Sequence, residues 1–197
     1  TITSAPNFAL QFVASQVRPE HLEGVSLARL RAVWNTGERV TAAASEGFYQ
    51  ALRRHGLQRA AVRANYGSAE NSGGATFCDV EASRLRMEVL DREALQHRGL
   101  AVMVDPGNTE PAGQVTVASV GAPWPGLEIV IRDDAGRPLP DGHVGEVALR
   151  SPSRFAGYCN DPDATAAVLD ADLLLTGDLG YRRDGELYWI GRTKENV

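Results

Sequence analysis

The sequence predicts an α/β fold, a parallel βαβ sheet portion followed by a small, mostly antiparallel, β-barrel-like subdomain. Three observations carry that expectation. Residues 29–70 alternate short β-prone runs with a helical pattern, and each run ends in a loop. From about residue 114 the texture changes to short strands punctuated by turns. Asp184-Gly185, a strong tight-hairpin signal, separates two of the latest runs.

Taken in order, "RLRAVWNTGE" is β-prone and breaks at Thr36-Gly37. Thr41 then caps a helix in which Ala44, Phe48, Ala51 and Leu52 recur at helical spacing, and Gly56 stops it. "RAAVRANYG" supplies the next strand. Ligands of parallel sheets collect beyond the strands' carboxyl ends, which puts Asn35-Thr36-Gly37-Glu38 and Asn65-Tyr66-Gly67-Ser68-Ala69-Glu70 at the expected site. Residues 71–113 start Gly-rich, pass through the periodic "VEASRLRMEVLDREALQ" and become loop-like at "DPGNTEPAG". Further on, "GLEIVIRDDAGRPLPDGHVGEVALRS" alternates on either side of a Pro/Gly/Asp-rich connection. One helix interrupts the strands, with Asp161 as N-cap and Pro162 at its first position. The expected divisions are 1–75, 76–113 and 114–197.

Composition narrows the class. With 43% hydrophobic and 23% charged residues the chain reads as an ordinary globular protein, and no apolar run approaches bilayer length, so no membrane span is expected. The opening TITSAPNF lacks a basic lead and an apolar core, so no secretion signal is expected. Cys78 and Cys159 stand far apart without a CxxC, which favours two reduced thiols and a cytoplasmic setting. A formal charge of −5 argues against nucleic acid as a partner. Arg53, Arg54, Arg59 and Arg63 read as a solvated helix end and the loop after it. None of the four histidines is assigned a catalytic role.

Three loops hold candidate chemistry: Thr36-Gly37-Glu38, Tyr66 to Glu70, and Thr176-Gly177-Asp178. A carboxylate after a glycine turn can accept both hydroxyls of a ribose diol. Asp in such a turn also commonly bonds its own backbone, and that alternative stays open for Asp178. Glu70 could offer a hard oxygen to Mg²⁺ beside phosphates, and Tyr66 an aromatic face for a base.

In order, "NYGSAE", "GHVGEVALRSPSRFAGY" and "LLLTGDLGYRRDGELYWIGRTKE" resemble the consecutive core motifs of the adenylate-forming (acyl-activating, AMP-binding) superfamily. The match runs over roughly 160 residues. The resemblance implies that Thr36, Gly37 and Glu38 line an adenine and that Tyr66 stacks on it, within a nucleotide site that also takes in Asn65, Gly67, Ser68 and Ala69. It further implies Mg²⁺ at Glu70, ribose hydroxyls on Asp178, a nucleotide contact from Arg192 and a domain hinge at Lys194. ATP or AMP is then the nucleotide. Ala69 departs from the common pattern, since most members carry a Thr there that can reach phosphate.

That alanine, the "APNFALQFV" segment and "MEVLDREALQHRGLAVMV" are similar to the fatty acyl-AMP ligase branch. In that branch Phe8 would lie on the acyl and phosphopantetheine side. The stretch from Glu70 to "GAPWPG" is longer than acyl-CoA synthetases use, and the surplus resembles the branch's insertion, placed at about residues 84–112. The implied activity is ATP-dependent adenylation of a fatty acid, then transfer to the phosphopantetheine thiol of an acyl carrier protein or carrier domain. The runner-up readings are an acyl-CoA synthetase or an amino-acid adenylation domain. From another class comes a non-catalytic nucleotide-binding or interaction module. Nothing in the chain matches the family's phosphate loop or its catalytic lysine beyond the hinge, so a fragment with only trace adenylation is expected.

Overall fold

The computed structural model describes residues 1–79, 82, 84–105, 107 and 110–193 of the chain, and among them eleven strands form one sheet, nine along a single path and two paired at its side. The path opens with three parallel strands, β1 (Ile2–Ala5), β2 (Ala32–Asn35) and β3 (Val62–Tyr66). Helices α1 (Asn7–Gln16) and α2 (Ala42–Leu52) connect them and pack against each other. Leu10, Val33, Phe48, Leu52 and Val62 form the core between these helices and the sheet. The cap on α2 is the expected one, with Thr41 Oγ1 accepting from Ala44 N at 3.3 Å, and Gly56 turns left-handed after a short 3-10 extension.

Beyond β3 every pairing is antiparallel. β4 (Thr76–Phe77) joins β3 to β6 (Gln114–Pro123), and β5 (Met87–Asp91) pairs along the other part of β6. Asp91 caps α3 (Arg92–Arg98), its Oδ1 accepting from Ala94 N at 2.6 Å. β7 (Glu128–Arg132) and β8 (Gly145–Arg150) form the alternating pair read from the sequence. Helix α4 (Pro162–Val168) starts on the Asp161 cap, and the two-residue β9 (Leu169–Asp170) follows it. β10 (Leu173–Arg183) and β11 (Glu186–Arg192) complete the order β1-β2-β3-β4-β6-β11-β10-β8-β7. With β1 and β7 at its two ends, the path stays open, and the barrel-like half is a bulged sheet rather than a closed barrel.

The β10–β11 hairpin sets the site. Arg183 faces Glu186 across a two-residue turn in which Asp184 and Gly185 both take positive φ, 52° and 80°. Counting back from that turn, an unbroken register would set Gly191 opposite Asp178. Ile190 is bulged out of the ladder instead, so Arg192 becomes the partner of Asp178.

Candidate functional site

The three parallel strands end on one edge of the sheet, and the β10–β11 hairpin comes up beside them. Between the two lies a cleft of about 400 Å³ lined by Gly37, Asn65 to Glu70, Tyr158, Thr176, Asp178, Trp189 and Arg192, with Val168, Leu174 and Leu175 as apolar wall. A larger groove, about 510 Å³, runs between α2 and residues 84–87. Its Arg59 and Arg86 are already paired with Glu46 and Asp184, so it offers less unspent chemistry.

Asp178 enters the cleft because of a second bulge. Leu175 pairs with Ala148 and Leu179 with Glu146, so three residues of β10 stand opposite Val147 alone. Gly177 takes φ 68°, and the Val147 carbonyl left over accepts from the Thr176 hydroxyl at 2.7 Å. Thr176 Oγ1 in turn accepts from the Asp178 amide at 3.1 Å. Asp178 is 4% exposed. Its Oδ2 accepts from the Tyr66 hydroxyl at 2.6 Å, while Arg192 Nε stands 3.3 Å from Oδ1 in an ion pair. Oδ1 itself is buried without a hydrogen-bond partner, as is Asn65 Oδ1. Burial pushes the Asp178 carboxyl up despite Tyr66 and Arg192, and burial together with Asp178 raises the Tyr66 hydroxyl well above its ordinary value.

Glu70 lies at the far side. Its Oε1 accepts from the Tyr158 hydroxyl at 2.7 Å, and its backbone carbonyl accepts from Phe155 N at 2.8 Å, so the loop after β8 straps across it. The Tyr158 bond holds the Glu70 carboxyl below the usual carboxylate range, and Glu70 reciprocally raises the Tyr158 hydroxyl. Glu70 therefore stays ionised through neutral pH and into mild acid. Tyr158→Phe is expected to move the Glu70 titration upward, toward an ordinary value of about 4.3, as followed by carboxyl ¹³C NMR. An unmoved midpoint would mean that this hydrogen bond is not made in solution.

The sequence pattern of AMP-binding enzymes matches residues 1–159. The chain belongs to the AMP-binding enzyme family. A putative acyl-CoA synthetase of Caulobacter vibrioides (strain NA1000 / CB15N) is 32% identical over the whole chain, which spans 34% of that relative. The long-chain-fatty-acid–AMP ligase FadD32 of Mycolicibacterium smegmatis (strain ATCC 700084 / mc(2)155) is 29% identical, again over the whole chain and 34% of its own length. Among solved structures, the fatty acyl-adenylate ligase from L. pneumophila in complex with acyl adenylate and pyrophosphate superposes with a TM-score of 0.88 at 30% identity, over 98% of this chain and 34% of that one. The chain thus spans about a third of the length of the relatives it matches.

Within this AMP-binding enzyme chain, the residues singled out from sequence separate into two groups. Gly37, Asn65, Tyr66, Gly67, Ser68, Ala69, Glu70, Asp178 and Arg192 come together in the cleft. Thr36, Glu38 and Phe8 are not among its lining residues. Thr36 N bonds the Ala5 carbonyl at 3.2 Å, and Glu38 Oε1 accepts from Phe8 N at 2.9 Å, which ties the Thr36–Glu38 loop to the first turn of α1. Phe8 is 69% exposed and sits 6.1 Å from the Phe12 ring, centroid to centroid. Lys194 lies outside the described residues. Sequence reasoning missed two cleft residues, Tyr158 and Trp189. Trp189 tilts 49° against Tyr66 with ring centroids 5.9 Å apart. Its sequence signal was the alternation of "ELYWIG", which turns Tyr188 and Trp189 to opposite faces.

Among the described residues, no helix is long and apolar enough to cross a membrane. Cys78 is buried, its thiol pushed up to about 11 chiefly by that burial, and Cys159 is exposed; neither forms a disulfide.

Proposed function

We propose that this chain is the nucleotide-cleft portion of a fatty acyl-AMP ligase. A fatty carboxylate oxygen attacks the α-phosphorus of ATP and pyrophosphate leaves; the phosphopantetheine sulfur of a carrier protein then attacks the acyl carbonyl carbon, the thiol proton is lost, and AMP leaves as the thioester forms. The observation that carries the reading is Asp178, nearly fully buried yet lining the cleft, with an Oδ1 that has the Arg192 ion pair beside it but no well-formed hydrogen bond. Burying such an acceptor is costly unless a ligand completes it. A ribose diol does so with two hydroxyls, and Arg192 stands beside them. Tyr66 and Trp189 would then wall the base, and Ser68 and Ala69 would border the phosphates.

A magnesium ion fits this reading in one mode. Among the described residues no group of three or more acidic, His or Cys side chains is placed to hold a metal ion. Glu70 is an ionised carboxylate at the cleft with Oε1 held by Tyr158. It suits a Mg²⁺ that would be held through a single protein carboxylate beside substrate phosphates. Bound there, the ion would offset phosphate charge. Glu70 would hold it, and Tyr158 would fix which carboxylate oxygen faces it.

The segment at about residues 84–112 is read as the branch's insertion and Lys194 as the hinge. A second reading, acyl-CoA synthetase, is favoured by the Caulobacter relative's description. Titration calorimetry of AMP into the chain tests the cleft, and saturable binding is expected; heat no different from dilution overturns the nucleotide reading. Assaying the whole protein with CoA and with a phosphopantetheinylated carrier protein separates the two ligases. The present reading expects acyl transfer to the carrier thiol, and a parent active with CoA favours the synthetase.

A further inference from the structure

Behind the cleft lies a buried charged network that the proposed chemistry does not use. Glu88, on β5, is 3% exposed. Its Oε2 accepts from the Tyr181 hydroxyl at 2.8 Å and from the Arg183 guanidinium. The same guanidinium donates to the Ala101 carbonyl and lies 5.5 Å from the centre of the Tyr181 ring. Tyr181 stacks on Tyr188 with centroids 4.8 Å apart and planes 6° from parallel. Burial, reinforced by Glu88, drives both phenol pKa values far up, so both hydroxyls keep their protons.

Adhesion alone does not require a carboxylate at this position. Leu90, Leu95, Ala101 and Val117 already pack against the two tyrosines. Replacing a buried ion pair by apolar side chains is often neutral or stabilising, so net stability is a weak reason for one, whereas fixing a register is its best-attested use. The hairpin needs such a device. β10 is bulged against both neighbours, at Thr176–Asp178 against β8 and opposite Ile190 of β11, and each bulge locally disrupts the ladder that would otherwise hold the strand. Tyr181 and Arg183 are two apart on one strand, so both face the same side. A slip by one residue turns both away and leaves Glu88 charged, buried and unpaired.

From this geometry we infer that Glu88 is a positioning residue that locks the register of the β10–β11 hairpin and thereby sets Asp178 against Arg192 in the cleft. Asp178 lies only three residues from Tyr181 along β10, and β5 reaches the hairpin from the segment at 84–112. The effect on ligand rests on the nucleotide reading above; the effect on register does not.

Glu88→Gln keeps an acceptor for Tyr181 and removes the charge; Glu88→Met removes both; Glu88→Met with Arg183→Met removes the whole ion pair. Three readouts are taken well below the melting temperature: amide hydrogen exchange, the Asp178 carboxyl titration by ¹³C NMR, and the AMP dissociation constant. For Glu88→Gln, exchange at residues 173–192 is expected to rise at least tenfold while β2 and β3 amides hold. The Asp178 midpoint is expected to shift and AMP affinity to fall about tenfold. The double variant, free of an unpaired charge but lacking the lock, is expected to fold and still show the Asp178 shift. An unmoved Asp178 midpoint with exchange raised evenly along the chain, or not at all, would reduce Glu88 to a structural contact and overturn the inference. If Glu88→Met fails to fold, Glu88→Gln decides alone. Should the unaltered chain not bind AMP, the nucleotide reading falls, and exchange and titration still decide the register role.

Discussion

Asp178→Ala is expected to weaken AMP binding by roughly 1.5 to 3 kcal/mol, the range for a hydrogen bond to a charged group, or about one to two powers of ten. Calorimetry on parent and variant measures it. Equal affinities would remove Asp178 from the site. The variant Asp178→Asn divides charge from shape and carries an opposite effect on stability. Burial raises the Asp178 carboxyl in the folded chain over Tyr66 and Arg192, which both act to lower it. A raised carboxyl contributes stability that is full below the unfolded value, about 3.9, and lost as pH climbs through the folded value. Towards neutral pH Asp178 is therefore a net cost to folding. Asp178→Asn is expected to melt higher than the parent at pH 7, to lose that advantage as the pH is lowered below about 4, and to bind AMP more weakly at neutral pH. A lower melting temperature at pH 7 would mean that the Arg192 ion pair outweighs desolvation. Function and stability pulling apart at one residue is the signature of a site kept for a ligand.

Much of this arrangement is legible in the sequence because it rests on local rules. The Asp184-Gly185 turn, the Thr41 and Asp161 caps and the glycine-marked loops after β2 and β3 each follow from a few neighbouring residues. Features that depend on distant partners are not legible. β5 was hidden in the run "VEASRLRMEVLDREALQ" because its inward residues are Glu88 and Leu90, and an inward glutamate breaks the apolar alternation by which a strand is recognised. Its partner Arg183 is 95 residues away. Helix α1 starts at Asn7 with no side-chain cap, so no start signal marks it. The same holds within the site. Asp178 and Glu70 are found as motif residues, whereas the Ile190 bulge that brings Arg192 opposite Asp178, and the 88-residue span between Tyr158 and Glu70, exist only in the folded chain. Glu38 shows the converse, since its motif position is clear and its side chain is spent on the Phe8 amide.

Gly67→Ala is expected to be the most damaging change of one methyl group in the cleft. The loop after β3 doubles back on itself, with Ala75 N bonded to the Tyr66 carbonyl at 2.7 Å and Gly73 N to the Ser68 carbonyl at 2.9 Å. A Cβ on Gly67 would sit 1.6 Å from the Gly73 carbonyl oxygen and 2.9 Å from Gly74 Cα. These are backbone atoms held by those hydrogen bonds, so no side chain can swing away, and overpacking of this kind costs about 1 to 3 kcal/mol. The strain falls on Ser68, Ala69 and Glu70. The Tyr158–Glu70 bond should open, the Glu70 titration should rise toward its ordinary value, and AMP binding should fall below detection in calorimetry. Gly37→Ala is the matched comparison. Gly37 has φ 85°, and an added Cβ there meets nothing within 4 Å, so its cost is conformational only, about 1 to 2 kcal/mol. Gly37 borders the same cleft, yet its substitution moves no neighbour and should leave the Glu70 titration where it was. If both variants shift Glu70 equally, or neither does, close packing of the Gly67 loop is not what holds that carboxylate.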